Sequence, residues 1–161
     1  MKITISGVPG AGKTTVGKEL ANSLKYEFKS IGDLRGEFAK KKNITINELN
    51  ERGKKDPTLD TNFDKFQKKY GKENENIVVE GRLSYHFIPD SIKIFIVIDK
   101  KVGAEIIFKD QRPDEKKCNS VSETAHAIEK RTQNDKEKYL KIYNLNPYDV
   151  TQYDIIIDTT E

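Results

Sequence analysis

The chain has 161 residues, of which 35% are hydrophobic and 34% charged, and its formal net charge is +3. This length fits one domain with a single core, and the mild positive charge is too evenly mixed with acidic residues to indicate nucleic-acid binding. The lone cysteine, Cys118, excludes an intramolecular disulfide, and the sequence shows neither a signal-peptide pattern nor an apolar run of membrane-spanning length, so we expect a soluble, cytoplasmic protein.

Strands and helices are predicted to alternate along the first half of the chain. A β-branched run at residues 3–6 predicts a strand, and apolar residues at helical spacing predict a helix at 14–24. Thr45, followed three residues later by Glu48, predicts a capping box before the third helix. The remaining predictions here are a strand at 26–30, helices at 33–42, 47–53 and 63–70, and a loop at 54–61 that contains Pro57.

The second half continues the same alternation. Residues 77–79 form a fully apolar run, as expected of a strand that is buried on both faces, and residues 92–98 form another. We then predict a helix at 102–108, a loop at 110–120, a long amphipathic helix at 121–143 and a last strand at 153–157. Five such strands predict an α/β fold, in which a parallel sheet binds ligands beyond the carboxyl ends of its strands.

Residues 7–14 match the pattern G-x-x-x-x-G-K-[ST], known as the P-loop, at every fixed position. The motif follows a predicted strand and opens a helix, so its backbone N–H groups and the helix N-terminus can surround phosphates. We expect Lys13 to reach the β- and γ-phosphates of ATP and the Thr14 hydroxyl to ligate Mg²⁺. The predicted ATP-binding residues are Gly7, Pro9, Gly10, Ala11, Gly12, Lys13, Thr14 and Thr15.

Other charged residues are predicted to lie near this loop or on one helix face. Glu80, at the end of the third strand, can hold Mg²⁺ through water, and Arg82 offers a planar fork to phosphate. Arg131 and Asp135 share one face of the long helix because they are four residues apart. The alternatives are a surface ion-pair role for Arg82 and an ordinary helix-surface pair for Arg131 and Asp135.

The whole chain resembles the small cytidylate kinases of archaeal type, a branch of the nucleoside monophosphate (NMP) kinases. The resemblance lies in the segments ISGVPGAGKTT, SIGDL, VVEGRL, KDQRPDE, KYLKIYN and YDIIIDTT. It implies a three-layer α/β/α P-loop kinase fold with a five-stranded parallel sheet, a helical NMP-binding insert and a short lid. The single domain would span 1–161, with a core at 1–30, 72–108 and 144–161, the NMP-binding region at about 31–71 and the lid at about 109–120.

The resemblance also implies roles for individual residues. Lys13, Arg82, Arg112 and Arg131 would be catalytic, although plain loop solvation is an alternative for Arg112. Thr14 would contact the metal directly and Glu80 through water. The monophosphate would be bound by Gly32, Asp33, Arg35, Gly81, Arg82, Arg131 and Asp135, and phosphates would be contacted from the lid side by Lys109, Arg112 and Lys138.

The sequence departs from the family pattern at two of these positions. Arg35 directly follows Leu34, where the family places a bulky residue, and Gly36 stands where the family has its arginine. Lys138 replaces the last arginine of the pattern R-x-x-x-D-x-x-R, so the charge is kept but the planar fork is lost.

These features predict a kinase that transfers the γ-phosphoryl group of ATP to CMP or dCMP with Mg²⁺ as cofactor. We expect ATP and the monophosphate to be its partners, the protein to be a monomer, and neither a membrane nor a specific nucleic acid to be bound. Two alternatives stay open. One is a kinase for AMP, UMP or another small acceptor, and the other is a nucleotide-binding protein with little transferase activity.

Overall fold

One parallel sheet of five strands forms the centre of the protein, in the order β2-β3-β1-β4-β5. The computed structural model describes residues 1–111 and 117–161, without the side chains of Asn47, Lys54, Pro57 and Thr58. The strands are β1 Lys2–Gly7, β2 Glu27–Ser30, β3 Ile77–Glu80, β4 Ile92–Val97 and β5 Ile155–Asp158. The predicted α/β fold with a parallel sheet is therefore confirmed.

Helices connect the strands and cover both faces of the sheet. In chain order they are α1 Lys13–Leu24, α2 Ile31–Lys41, α3 Ile46–Lys55, α4 Pro57–Glu73, α5 Ser84–Phe87, α6 Lys100–Lys109 and α7 Val121–Tyr143, with a short 3-10 turn at Val150–Gln152. Among the described residues, no helix has both the length and the hydrophobicity that crossing a membrane requires.

Most predicted elements are found within a few residues of their predicted bounds, and the capping box of Thr45 and Glu48 is present. The predicted loop at 54–61 is wrong, because α3 ends at Lys55 and α4 begins at Pro57. Proline suits the first position of a helix, since the N–H that it lacks would stay unpaired there. The single turn of α5 was not predicted, because four residues are too few to show a helical period.

The two faces of the sheet bury different side chains. Every residue of β1 is buried, and Ile3 and Ile5 pack with Ala21 of α1 and Val78 of β3 on one face. On the other face Phe95, Tyr85 and Tyr153 pack in one cluster. The ring centroids of Phe95 and Tyr153 lie 4.8 Å apart, and those of Tyr85 and Tyr153 lie 4.7 Å apart. β1 is thus the central strand, and the loop that follows it starts from the most rigid part of the core.

Helix α4 is fixed to this core by its C-terminal half. The buried Ser84 hydroxyl donates a hydrogen bond to the Gln67 side-chain oxygen at 2.7 Å. One turn later, Gly71 approaches Ile88 so closely that an added Cβ would lie 2.7 Å from Ile88 Cγ1. The N-terminal half of α4 extends from this anchor toward α2, α3 and α7.

We expect Phe95→Ala to lower the free energy of unfolding by about 3–5 kcal/mol, because Phe95 is 1% exposed and its loss leaves a cavity between aromatic rings. Ile106→Ala is the control, since Ile106 is 47% exposed and should change stability by about 0.5 kcal/mol or less. Urea denaturation of both variants measures the difference. Equal losses for the two variants would contradict this description of the core.

Candidate functional site

The loop after β1 is held against the sheet by close backbone contacts. The Val8 N–H donates to the carbonyl oxygen of Ile96 at 3.0 Å. Gly10 has a φ of 84°, and a Cβ at this position would lie 2.6 Å from the carbonyl oxygen of Gly103 in α6. Only glycine fits such an approach, so the predicted P-loop is present with its backbone held between β4 and α6.

Helix α1 begins at Lys13, and its N-cap residue is Gly12, which has a left-handed φ of 69° and provides no side-chain cap. The first turn of the helix thus has N–H groups that Gly12 does not cap, and such a helix N-terminus favours an anion. The Lys13 ammonium donates to the Val8 carbonyl oxygen at 2.8 Å and so lies across the loop. Backbone amides and one ammonium group thus surround the same space.

Thr14 and Glu80 meet beside the loop. The register of β1 and β3 pairs Ile5 with Glu80, which brings the Glu80 carboxylate to the start of α1. The Thr14 hydroxyl donates to Glu80 Oε2 at 3.1 Å. A hydroxyl and a carboxylate are the oxygen ligands that Mg²⁺ prefers, and Mg²⁺ commonly keeps waters and substrate phosphates as its other ligands. The two residues predicted to hold the metal therefore lie together and have suitable chemistry.

Arg82 lies at the same end of the sheet and is paired with α7. Its Nε is 2.7 Å from Asp135 Oδ2, and its Nη1 donates to the Gly7 carbonyl oxygen at 3.4 Å. The Tyr148 hydroxyl donates to the same Asp135 oxygen at 2.9 Å. Burial lowers the pKa of Arg82, but the Asp135 carboxylate outweighs this and raises the pKa, so the guanidinium stays charged. Arg82 and Asp135, both predicted site residues, are brought into direct contact.

A second cluster lies between α2, α4 and α7. Arg35 Nη1 and Lys138 Nζ bind the two oxygens of Asp60, at 2.6 Å and 2.5 Å. Arg35 Nη2 also donates to Asn50 Oδ1 at 3.0 Å. Arg35 therefore turns toward α4, and it shares a carboxylate with the lysine that replaces the family's last arginine.

The remaining predicted residues are less closely gathered. Gly32 and Asp33 are exposed at the start of α2, where the Asp33 N–H donates to the N-cap residue Ser30. Arg131 is exposed on α7 and Lys109 is exposed in the last turn of α6. Arg112 lies outside the described residues. The roles of these side chains stay predictions.

The sequence reasoning missed Asp60 and Tyr148. Asp60 fell in the region predicted to be a loop, although Asp60 and Asp64 are four residues apart and so share one face once α4 is seen to begin at Pro57. Tyr148 carries no local signal, because its partner Asp135 lies on another element.

Comparisons with known proteins agree with the geometry. A model of the cytidylate kinase-like family matches residues 2–161. The chain is 35% identical over 160 residues to a cytidylate kinase of Archaeoglobus fulgidus, covering 99% of this chain and 86% of that protein. It is also 33% identical over 161 residues to an S-adenosylmethionine-dependent nucleotide dehydratase of Lacinutrix mariniflava, covering 99% of this chain but only 33% of that longer protein.

The solved structures show the fold. A shikimate kinase from Bacteroides thetaiotaomicron superimposes with a TM-score of 0.64 at 21% sequence identity, over 98% of this chain and 85% of that one. The predicted P-loop kinase fold is thereby confirmed.

We expect Gly10→Ala to lower the free energy of unfolding by more than Gly12→Ala. Both glycines have positive φ, which costs about 1–2 kcal/mol for alanine, but only Gly10 would also clash with Gly103. No atom of the described residues lies within 4 Å of a Cβ placed at Gly12, so Gly12→Ala isolates the φ cost. Urea denaturation gives both values, and a larger loss for Gly12→Ala would contradict the close contact with α6.

Proposed function

The chain belongs to the cytidylate kinase-like family, and on this basis we propose that it transfers the γ-phosphoryl group of ATP to CMP, giving ADP and CDP. The observation that carries the proposal is the meeting of Lys13, the Thr14–Glu80 pair and Arg82 around one glycine loop at the carboxyl ends of β1 and β3. The same site is proposed to accept dCMP, since the cytosine base is unchanged.

The reaction proposed for this site is an in-line displacement. A phosphate oxygen of the acceptor attacks the γ-phosphorus of ATP, a new P–O bond forms, and ADP leaves as the bond to the β-phosphate oxygen breaks. The attacking oxygen already carries negative charge, so the protein need not supply a general base. Positioning and charge neutralisation are therefore the main tasks of its side chains.

The loop and Lys13 are assigned to the triphosphate. The N–H groups of the loop and of the first turn of α1 would bind phosphate oxygens, and the Lys13 ammonium would exchange the Val8 carbonyl oxygen for the β- and γ-phosphates. Thr14 and Glu80 would hold Mg²⁺, which supplies neutralisation of phosphate charge when bound. Each group is already at the loop, so little rearrangement is needed.

The acceptor is assigned to the space between Arg82, α2 and α7. Arg82 would bind its phosphate, because the guanidinium is held beside the loop by Asp135 and stays charged. Arg131 and Asp135 on α7 would contact the nucleoside, with Gly32, Asp33, Arg35 and Gly81 bordering the monophosphate. Lys109 and Arg112 would close over the phosphates from the lid and exclude water.

All of these groups come from one chain, so a monomer suffices for the proposed reaction. The cytoplasm is the proposed location, because ATP and nucleoside monophosphates are both available there. The curated archaeal relatives support CMP as the acceptor, since the proteins of Archaeoglobus fulgidus and Methanosarcina barkeri are named cytidylate kinases.

A panel of CMP, dCMP, UMP and AMP, each with ATP and Mg²⁺, tests the acceptor. We expect kcat/KM for CMP to exceed the value for AMP by at least about 10-fold, which corresponds to about 1.4 kcal/mol of transition-state binding. ADP release, measured with a coupled assay, gives these constants. ATP binding without turnover of any monophosphate would instead favour a nucleotide-binding protein without transferase activity.

Lys13→Ala should lower kcat by about 100-fold or more, because it removes the cation assigned to the transferred phosphoryl group. Lys18→Ala, on the exposed side of the same helix, is the matched control and should leave kcat within about twofold. Circular dichroism should show both variants folded. A folded Lys13→Ala protein with full activity would remove the central role of the loop.

Arg131→Ala should raise the KM for CMP by about 10-fold while the KM for ATP changes by less than about twofold, since Arg131 is assigned to the nucleoside of the acceptor. The neighbouring exposed Lys130→Ala serves as control for the loss of one positive charge from α7. Initial rates with each substrate varied in turn measure both constants. Equal increases for CMP and ATP would contradict the placement of Arg131.

A further inference from the structure

Asp60 joins two cations that come from distant parts of the chain. Its Oδ1 is 2.6 Å from Arg35 Nη1 of α2, and its Oδ2 is 2.5 Å from Lys138 Nζ of α7. The Asp60 side chain is 13% exposed. One carboxylate therefore uses both of its oxygens to hold an arginine and a lysine at a single point.

Arg35 is fixed by more than this ion pair. Its Nη2 donates to Asn50 Oδ1 of α3 at 3.0 Å, and its guanidinium carbon lies 4.8 Å from the centre of the Phe63 ring. Contacts along one edge and over one face set the plane of the guanidinium. The group has five N–H donors, and these contacts use two of them, so the rest of the fork keeps its capacity to bind an anion.

This cluster lies on the same face of α7 as Asp135, the partner of Arg82, because Lys138 follows Asp135 by three residues. Tyr139, the next residue of α7, interacts electrostatically with members of both clusters, Arg82 and Asp135 in one and Arg35 and Asp60 in the other. The Lys138 ammonium is 5.5 Å from the centre of the Tyr139 ring. Arg35 and Lys138 are therefore on the side of α7 that is proposed to face the acceptor.

The charges require a carboxylate at this position. Arg35 and Lys138 repel each other, and without a shared anion their long side chains would separate. Burial raises the pKa of Asp60, but the hydrogen bond and charge of Lys138, together with Arg35, outweigh it and hold the pKa below its ordinary value. Asp60 is thus a fixed negative charge at neutral pH, and the three groups together keep one net positive charge.

We propose that Asp60 is a positioning residue that holds Arg35 and Lys138 side by side, so that together they receive the phosphate of the acceptor monophosphate. This inference depends on the proposed function, because it concerns the acceptor site of that reaction. It explains how Arg35, one position before the family's usual arginine, still serves the acceptor. It also gives Lys138 a fixed direction that the planar fork of an arginine would otherwise provide.

The rival explanation is that Asp60 merely ties α4 to α7. Asp64 provides a direct comparison, because it lies one turn later on α4 and accepts a hydrogen bond from the Tyr143 hydroxyl of α7. Like Asp60, it is an aspartate that connects α4 to α7. Its hydrogen bond comes from a tyrosine, and its charge acts on Lys138 and Arg35 only electrostatically, so Asp64 ties the helices together without the direct ion pairs that Asp60 makes.

Asp60→Asn and Asp64→Asn, compared in the full-length protein, test the proposal. We expect Asp60→Asn to raise the KM for CMP at least 10-fold while the KM for ATP stays within twofold, and Asp64→Asn to change both constants by less than threefold. Asp60→Glu should recover part of the CMP affinity, because it restores the charge. A KM for CMP that falls or stays unchanged in Asp60→Asn, or that rises equally in both asparagine variants, would overturn the proposal.

A double-mutant cycle covers the case in which Asp60→Asn does not fold. Lys138→Met, Asp60→Glu and the pair of both changes are then assayed, and the pair should raise the KM for CMP by less than the product of the two single increases, because part of the effect of Asp60 is exerted through Lys138 and the rest through Arg35. Additive increases would overturn the proposal. Wild-type turnover of CMP in the same experiment distinguishes failure of the proposed function from failure of this inference. No turnover by the wild type rejects the proposed function. Wild-type turnover with an unchanged KM in Asp60→Asn rejects only the role of Asp60.

Discussion

The close approach of the loop after β1 to β4 and α6 is the constraint on which the site depends. Gly10 lies so near Gly103 that a single methyl group would not fit, and Val8 is hydrogen-bonded to Ile96 in the neighbouring strand. β1 is buried along its whole length in the middle of the sheet, so the loop that follows it is attached to a rigid part of the core. If the loop amides bind phosphate as proposed, amides that do not move need little reorganisation when charge shifts during transfer.

The cations of the proposed site are held in place by two carboxylates and one backbone carbonyl oxygen of the protein. Asp135 holds Arg82, Asp60 holds Arg35 and Lys138, and the carbonyl oxygen of Val8 accepts from Lys13. Partly buried charges would be costly if each stood alone, so pairing lowers the cost of keeping them in a closed cleft. The same pairing sets their directions, as their proposed binding of phosphate groups requires.

The parts of this structure that depend on neighbouring residues could be predicted from the sequence. The glycine loop, the apolar strand at 77–79 and the helix at 121–143 each carry their signal within a few residues, and the contact between Thr14 and Glu80 follows from placing two strand ends together. The Asp60 cluster could not be found in this way. Arg35 and Lys138 lie 25 and 78 positions from Asp60 in the sequence. The N-terminal part of the helix that carries Asp60 was predicted to be a loop because it contains Pro57.

Helix α4 has one end fixed to the core, where Gln67 and Gly71 contact α5 and Ile88, and it carries Asp60 near the other end. Gly71 lies eleven positions after Asp60 in this helix, a rise of about 16 Å at 1.5 Å per residue. A helix of this length bends little, so α4 fixes the distance between the sheet and the cation pair. Inserting or deleting one residue between Asp60 and Gln67 would rotate Asp60 by about 100° around the helix axis and turn it away from both cations. The number of residues between the core contacts of α4 and Asp60 is thus as important for the cation cluster as the charged groups themselves.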